Sequence, residues 1–336
     1  MKDMSHGKTF GVLGGGSWAT ALVKILTTNE SKVYWNLRNE AVISHLTTHG
    51  HNPNYLSDVS FDLSKLVVTS KPDEVILACD IIIIAIPSAF VYDTLSQITL
   101  PLDQKIMVSA VKGIIPQSGK VLGEHLHEKY QVPFDQIAVI AGPCHAEEVA
   151  LERLSYLTIA CQSSTNARSI ADALNTHFIR THISDDAIGT EYAVMLKNIY
   201  AIAAGIAHGL GYGDNFQSVL ISNAIREMKR YVKKIHKLKR NINNSYYLGD
   251  LMVTCYSTFS RNRMFGNMIG KGYTVKSAMM EMNMVAEGYY AAKSAFDINE
   301  KNTKKTKIPI IKAVYSILYQ NAPPKITFQK LCEQLN

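Results

Sequence analysis

Phe10-Gly11-Val12-Leu13-Gly14-Gly15-Gly16-Ser17-Trp18-Ala19 sets a short apolar run against a G-x-G-x-x-A fingerprint and the start of an amphipathic stretch. A strand that ends in glycines and turns directly into a helix predicts a β-α-β unit that binds a dinucleotide. Gly14 would permit the tight turn, and Gly16 would let a pyrophosphate approach the backbone. Ala19 would allow close helix-to-strand packing, and the phosphates would rest on the open N–H groups and positive dipole end of the helix.

About twenty residues further on, an NAD-specific site usually carries an acid for the ribose 2′-hydroxyl. Here Lys32 to Glu40, KVYWNLRNE, supplies Asn36 and Arg38 instead. Arg38 can pair with a 2′-phosphate, which favours NADP(H) with NAD(H) tolerated.

Outward from this unit, β-branched runs alternate with amphipathic ones. Strands are expected at Leu66 to Ser70, Asp80 to Ile86, Lys105 to Val111, Gln136 to Gly142 and Leu154 to Cys161. The continuous apolar character of DIIIIAI marks a strand buried on both faces, as in a sheet covered by helices. Such alternation predicts an α/β, Rossmann-type doubly wound sheet. After Asp186 the texture becomes all-α, with 3.6-residue periodicity in the runs beginning Gly189, Ser218 and Val275. The expected division is therefore a nucleotide-binding domain over 1–187 and a helical domain over 188–336.

Composition narrows the function. With 47% hydrophobic and 19% charged residues among 336, fibrous and disordered classes drop out. Val75 to Ile86 is interrupted by Asp80 and is too short for a membrane span, and no signal-peptide core precedes the glycines, so cytoplasmic residence is expected. Cys79, Cys144, Cys161, Cys255 and Cys332 form no C-x-x-C pair, which argues against a disulfide framework or a cysteine zinc site. The net charge of +7 is local: Arg226 to Arg240 and Lys301 to Lys307 hold the excess, and without them 23 basic residues face 27 acidic ones. Such a run at helical spacing reads as a solvated face rather than a nucleic-acid surface. His45, His49 and His51 contain an i, i+4 pair, but no neighbouring acid or cysteine completes a ligand set, so they read as a surface helix end and no metal is expected.

VSAVKG, VIAGPCHAEE, EYAVMLKN, LGDLMVTCYSTFSRNR and VAEG, in this order behind the fingerprint, resemble the NAD(P)-dependent glycerol-3-phosphate dehydrogenase family from about Phe10 to Tyr290. The resemblance implies reduction of dihydroxyacetone phosphate to sn-glycerol 3-phosphate, a homodimer, and a role in glycerophospholipid synthesis. Hydride delivery to a ketone builds negative charge on oxygen, which calls for a positioned acid. Lys197 matches the family's catalytic lysine. A second lysine, Lys112, would lower its pKa by repulsion, together with desolvation. Asp250 matches the acid that would orient Lys197, with Asn198 and Thr254 as hydrogen-bonding neighbours. Ser260, Arg261 and Asn262 resemble the phosphate-binding segment, with Arg261 also reaching the cofactor. Gly142 and Ala146 would contribute backbone contacts. Ser17, Trp18, Arg38 and Lys112 match further cofactor contacts, and Val285 and Glu287 match positions at the nicotinamide end.

Some residues depart from the pattern. Cys144 stands where the family carries Ser or Thr, which puts a poorer hydrogen-bonding group at that substrate position. His145 replaces an aromatic, and Asn243 to Leu248 replaces a glycine-rich stretch. Two rival readings remain: another two-domain hydroxyacid or ketopantoate-type dehydrogenase, and a non-catalytic dinucleotide sensor whose basic helix meets nucleic acid.

Overall fold

The computed structural model describes residues 8–282 and 286–336, which divide into two compact units. The first unit holds the strands β1 (Phe10–Leu13), β2 (Val33–Asn36), β3 (Leu66–Thr69), β4 (Ile81–Ile84), β5 (Ile106–Ser109), β6 (Ile137–Ala141), β7 (Ser155–Cys161) and β8 (Ile179–Ser184). Between them run α1 (Ser17–Asn29), α2 (Glu40–His49), α3 (Pro72–Ala78), α4 (Ser88–Ser96), α5 (Leu122–Tyr130), α6 (Ala146–Ala150) and α7 (Ser164–Leu174).

All eight strands join one sheet in the order β3-β2-β1-β4-β5-β6-β7-β8. β1 is parallel to β2 on one side and to β4 on the other, with Leu13 level with both Asn36 and Ile84. The strand order reverses here, which in doubly wound sheets is where ligands bind, at the carboxyl ends of the strands. All four isoleucines of β4 are fully buried, as their uninterrupted apolar run requires. β7 runs antiparallel to β6. Gly142, just past β6, lies against the backbone of β7: its φ is +133°, and a Cβ there would lie 2.4 Å from the Tyr156 carbonyl oxygen. β8 has no counterpart among the expected strands, because IRTHIS is polar and largely exposed, as suits an edge.

The second unit consists of 112–121 and 188–336. The sequence assigns 112–121 to the nucleotide domain by chain order. The structure corrects this: the carbonyl of Lys112 is held by the Asn198 side-chain amide at 2.8 Å, and the segment groups with the helices. Those helices are α8 (Ala187–Gly209), α9 (Asp214–Ile235), α10 (Asp250–Tyr256), α11 (Arg261–Gly270), α12 (Val275–Glu281), α13 (Glu287–Lys301), α14 (Pro309–Tyr319) and α15 (Pro324–Cys332). The periodic run from Val275 is thus split into α12 and α13 on either side of residues 283–285. Ser245–Gly249, where glycines were expected by resemblance, forms a π-helical turn that buries Tyr246 and Tyr247 and leads into α10.

α8 and α11 approach through two glycine pairs, each spaced four residues apart. A Cβ on Gly205 would stand 2.1 Å from the Arg263 carbonyl oxygen, and one on Gly266 would stand 2.1 Å from that of Ile202. Gly209 and Gly270 repeat the arrangement one turn further on, against the carbonyls of Asn267 and Ile206 at 2.4 Å. α13 meets α8 in the same way, Gly288 lying against the Asn198 carbonyl. Small residues at this spacing bring helix backbones together with no side chain between them.

On α9 the basic side chains Arg226, Lys229, Arg230, Lys233 and Lys234 are exposed, as a solvated face predicts. Glu227, the one acid of the run, is fully buried and accepts the backbone N–H groups of Ile310 and Ile311 at 2.9 and 3.0 Å, capping α14. Burial outweighs these donors and raises its pKa to about 7. Among the described residues no helix is long and apolar enough to cross a membrane.

Gly205→Ala and Gly266→Ala should each destabilise the protein in urea unfolding. The clash with backbone costs about 1–3 kcal/mol or more and exceeds the ~1 kcal/mol that alanine gains in helix propensity. The folded state holds a proton on Glu227 that the unfolded chain releases near 4.5, the ordinary value of a glutamate. Stability should therefore fall as pH rises from about 4.5 through about 7. In Glu227→Gln that slope should be reduced, as read from melting temperatures across the range.

Candidate active site

The glycine loop of the first unit is held by three hydrogen bonds to its backbone. The Gly14 N–H donates to the Asn36 carbonyl at 3.2 Å, the Trp35 indole N–H donates to the Gly14 carbonyl at 2.7 Å, and the Asn52 amide donates to the Gly15 carbonyl at 3.2 Å. Asn52 is fully buried and also donates to the Thr20 hydroxyl at 2.9 Å. Sequence reading missed Trp35 and Asn52, because nothing local marks a side chain whose partner is a carbonyl brought near only by the fold. Gly14 has φ +129°, and a Cβ on it would lie 2.3 Å from the Ala85 carbonyl oxygen at the end of β4, so glycine is required there.

Gly16 is the N-cap of α1 and provides no side-chain cap, and the space where its Cβ would stand is open. Uncapped N–H groups facing open space at a helix N-terminus form a cradle for a diphosphate, so the residues present fit a dinucleotide. Ser17 begins the helix, and Trp18 packs against the core of this unit. Asn36 is buried and its amide donates to the Thr69 carbonyl at 3.2 Å, so it serves the β2–β3 pair. Arg38 is exposed just past β2, beside Asn39, which caps α2. Gly142 directly follows β6 and Ala146 begins α6, while Cys144 is buried with the apolar cluster of this unit.

In the second unit, Lys197 lies on α8 and is 6% exposed; Asp250 begins α10 and is 2% exposed. Lys197 Nζ donates to Asp250 Oδ1 at 2.5 Å. Asn198, the next residue on α8, reaches back to Lys112 as described above. Lys112 is half-buried, and its pKa is lowered to about 8, first by burial and then by the positive charges of Lys197 and Arg261. Glu287 and Asp250 oppose the shift. Lys112, Lys197, Arg261, Asp250 and Glu287 thus form one electrostatic cluster of three cations and two carboxylates.

Helix starts build the rest of it. Arg261 is the first residue of α11, and Glu287 is the first residue of α13. Ser260 caps α11 by accepting the Arg263 N–H at 3.3 Å, and Asn262 Oδ1 accepts the Gly288 N–H at 2.8 Å in the first turn of α13. The Thr254 hydroxyl donates to the Asp250 carbonyl at 2.6 Å. Ser260, Asn262 and Thr254, singled out by resemblance as substrate contacts, thus each have a backbone partner that fixes a helix end bearing the cluster. Val285 lies outside the described residues. Two helix N-termini add positive potential to an already cationic cluster, a setting suited to an anion.

Two family models cover most of the chain: the N-terminus of NAD-dependent glycerol-3-phosphate dehydrogenase matches residues 9–167, and its C-terminus matches 186–329. A glycerol-3-phosphate dehydrogenase (NAD(P)+) from Chlorobium limicola is 36% identical over 315 residues, covering 93% of each chain. Its namesake from Bacillus subtilis is 34% identical over 324 residues, covering 95% of this chain and 92% of its own. The crystal structure of glycerol-3-phosphate dehydrogenase from Coxiella burnetii superposes with a TM-score of 0.88 at 28% identity, covering 97% of this chain and 99% of that one. With both halves matched and the relatives aligned nearly end to end, this chain belongs to the NAD-dependent glycerol-3-phosphate dehydrogenase family.

Proposed function

We propose that the chain interconverts dihydroxyacetone phosphate and sn-glycerol 3-phosphate with NADP(H) or NAD(H). The observation that carries this reading is the buried Lys197–Asp250 pair beside Lys112 and Arg261. A buried cation with a single counter-ion, next to two further cations, leaves surplus positive charge for a phosphorylated, oxygen-bearing substrate.

The glycine loop, with Gly14, Gly16, Ser17 and Trp18, would hold the dinucleotide's phosphates, and Arg38 the adenosine end. A nicotinamide dinucleotide held there would supply the hydride-transfer chemistry. Lys197 donates a proton to the substrate oxygen in reduction and withdraws it in the reverse direction. Asp250 fixes the ammonium by direct contact and offsets its charge. Lys112, titrating near 8, is poised to stabilise the developing oxyanion or to exchange a proton near neutral pH. Arg261 grips the phosphate, since a guanidinium stays charged and matches phosphate oxygens in a bidentate fork. Gly142, Cys144, Ala146, Asn198, Thr254, Ser260, Asn262, Val285 and Glu287 complete the assignment on the strength of family resemblance. A homodimer, cytoplasmic residence and supply of glycerophospholipid synthesis accompany the reading on the same basis.

Lys197→Ala should lower kcat by about 10²–10⁴-fold while dinucleotide binding persists, as measured by NADPH or NADH oxidation beside cofactor fluorescence titration. Unchanged turnover in a folded variant would overturn the proton-transfer role. Arg261→Ala should raise the KM for dihydroxyacetone phosphate roughly tenfold or more, since a hydrogen bond to a charged group is worth about 1.5–3 kcal/mol. Removing that cation should also relieve repulsion on Lys112. The limb of the pH–rate profile that reports Lys112 should then move from near 8 to higher pH.

A further inference from the structure

Three consecutive carbonyls of the glycine loop are occupied from inside the first unit. The Gly14 carbonyl accepts the Trp35 indole N–H at 2.7 Å, and the Gly15 carbonyl accepts the Asn52 amide at 3.2 Å. The Gly16 carbonyl accepts twice from Thr20, from its backbone N–H at 2.9 Å and from its hydroxyl at 3.0 Å. Trp35, Asn52 and Thr20 are all fully buried, so each carbonyl points into the protein. In a planar trans peptide the C=O of one residue and the N–H of the next point in opposite directions. No peptide bond among the described residues is cis. Holding the carbonyls of Gly14, Gly15 and Gly16 inward therefore turns the N–H groups of Gly15, Gly16 and Ser17 outward. These three residues are half-buried, and the space where a Gly16 Cβ would stand is open. The Gly14 N–H stays out of the row, because it donates to the Asn36 carbonyl at 3.2 Å.

Asn52 organises this arrangement. Its Oδ1 accepts the Asn54 N–H at 3.0 Å, which leaves its amide hydrogens for the Gly15 carbonyl and the Thr20 hydroxyl. The Thr20 hydroxyl receives one of them at 2.9 Å and gives its own hydrogen to Gly16, so Asn52 governs two of the three peptides. Hydrogen bonds chained in a buried setting polarise one another, and a peptide whose carbonyl accepts becomes a better donor at its N–H. The third donor is fixed by packing, as the Trp35 ring meets Phe61 edge-on with centroids 5.5 Å apart. Successive N–H groups turned outward at the head of α1 match the oxygens of a diphosphate.

We propose that Asn52, with Thr20 and Trp35, aims the N–H groups of Gly15, Gly16 and Ser17 at the dinucleotide's diphosphate and so sets the affinity for the cofactor. All three are positioning residues that act through the backbone of the loop. Because the diphosphate is common to NAD(H) and NADP(H), they act on both equally. The inference rests on the reading of the glycine loop as the phosphate cradle.

Calorimetric titration of the full chain with NADH and with NADPH tests this. Asn52→Ala and Thr20→Val should each weaken binding about fivefold or more, by the same factor for the two cofactors, as the loss of a buried hydrogen bond predicts. Thr20→Ser keeps the hydroxyl and should restore the affinity that Thr20→Val loses. Cooperative melts above the titration temperature show that each variant is folded. In turnover, the rise in KM for the dinucleotide should exceed any change in KM for dihydroxyacetone phosphate. Independently of any variant, the amide resonances of Gly15, Gly16 and Ser17 should shift on adding NADH by more than that of Gly14. No binding by the wild type, or amide resonances of the loop that do not move, would remove the cradle reading and the inference with it. Wild-type binding with unaltered affinity in folded Asn52→Ala and Thr20→Val, or a loss in Thr20→Ser as large as in Thr20→Val, would overturn the inference and leave the cradle reading standing.

Discussion

Backbone-to-backbone contact between helices is the constraint on which the catalytic unit rests. Gly205 and Gly209 on α8 face Gly266 and Gly270 on α11, and Gly288 of α13 meets α8 beside Asn198. Lys197 and Asn198 lie on α8, Arg261 at the head of α11 and Glu287 at the head of α13. Lys197, Arg261 and Glu287 are therefore attached to helices whose distances from one another are set by glycine. Interiors packed this tightly cannot absorb even one added methyl group without moving backbone. The capping bond from Asn262 to Gly288 secures the same junction by a polar contact, so one end of α11 fixes the start of α13.

The charge cluster is costly to assemble and informative for that reason. A buried lysine and aspartate lose their hydration, and their mutual attraction compensates only when the geometry is good. The 2.5 Å contact between Lys197 and Asp250 meets that condition. Lys112 and Arg261 add further positive charge, and burial, with repulsion from Lys197 and Arg261, holds the pKa of Lys112 down to about 8. Three cations against two carboxylates leave an excess of positive charge in a rigid frame, a setting suited to an anion.

In the first unit the same division of labour holds. The glycines make the approach to phosphate possible, and side chains distant in sequence keep them in place: Trp35 from β2 and Asn52 from the segment after α2. Gly50 in its left-handed conformation ends α2 two residues before Asn52, the anchor of the loop.

Much of this was legible in the chain alone. The G-x-G-x-x-A run after an apolar strand, the buried isoleucines of β4 and the helical texture beyond Asp186 are local patterns, and local patterns fix element type and burial. The residues of the lysine cluster stood out because their motifs are dense and ordered, although the chain could not show that they share one electrostatic environment. Other features depended on contacts between distant segments. β8 is too polar to be read as a strand, 112–121 leaves the domain that surrounds it in sequence, and Ser260, Asn262 and Thr254 prove to be bound to helix ends. Glycine pairs four residues apart on α8 and α11 meant nothing until the two helices were seen to meet. Residue type and spacing determined which helices and strands form and which chemistry the chain carries. Only tertiary structure decided which hydrogen bonds hold the frame and which charges face one another, because both depend on distances between residues far apart in sequence.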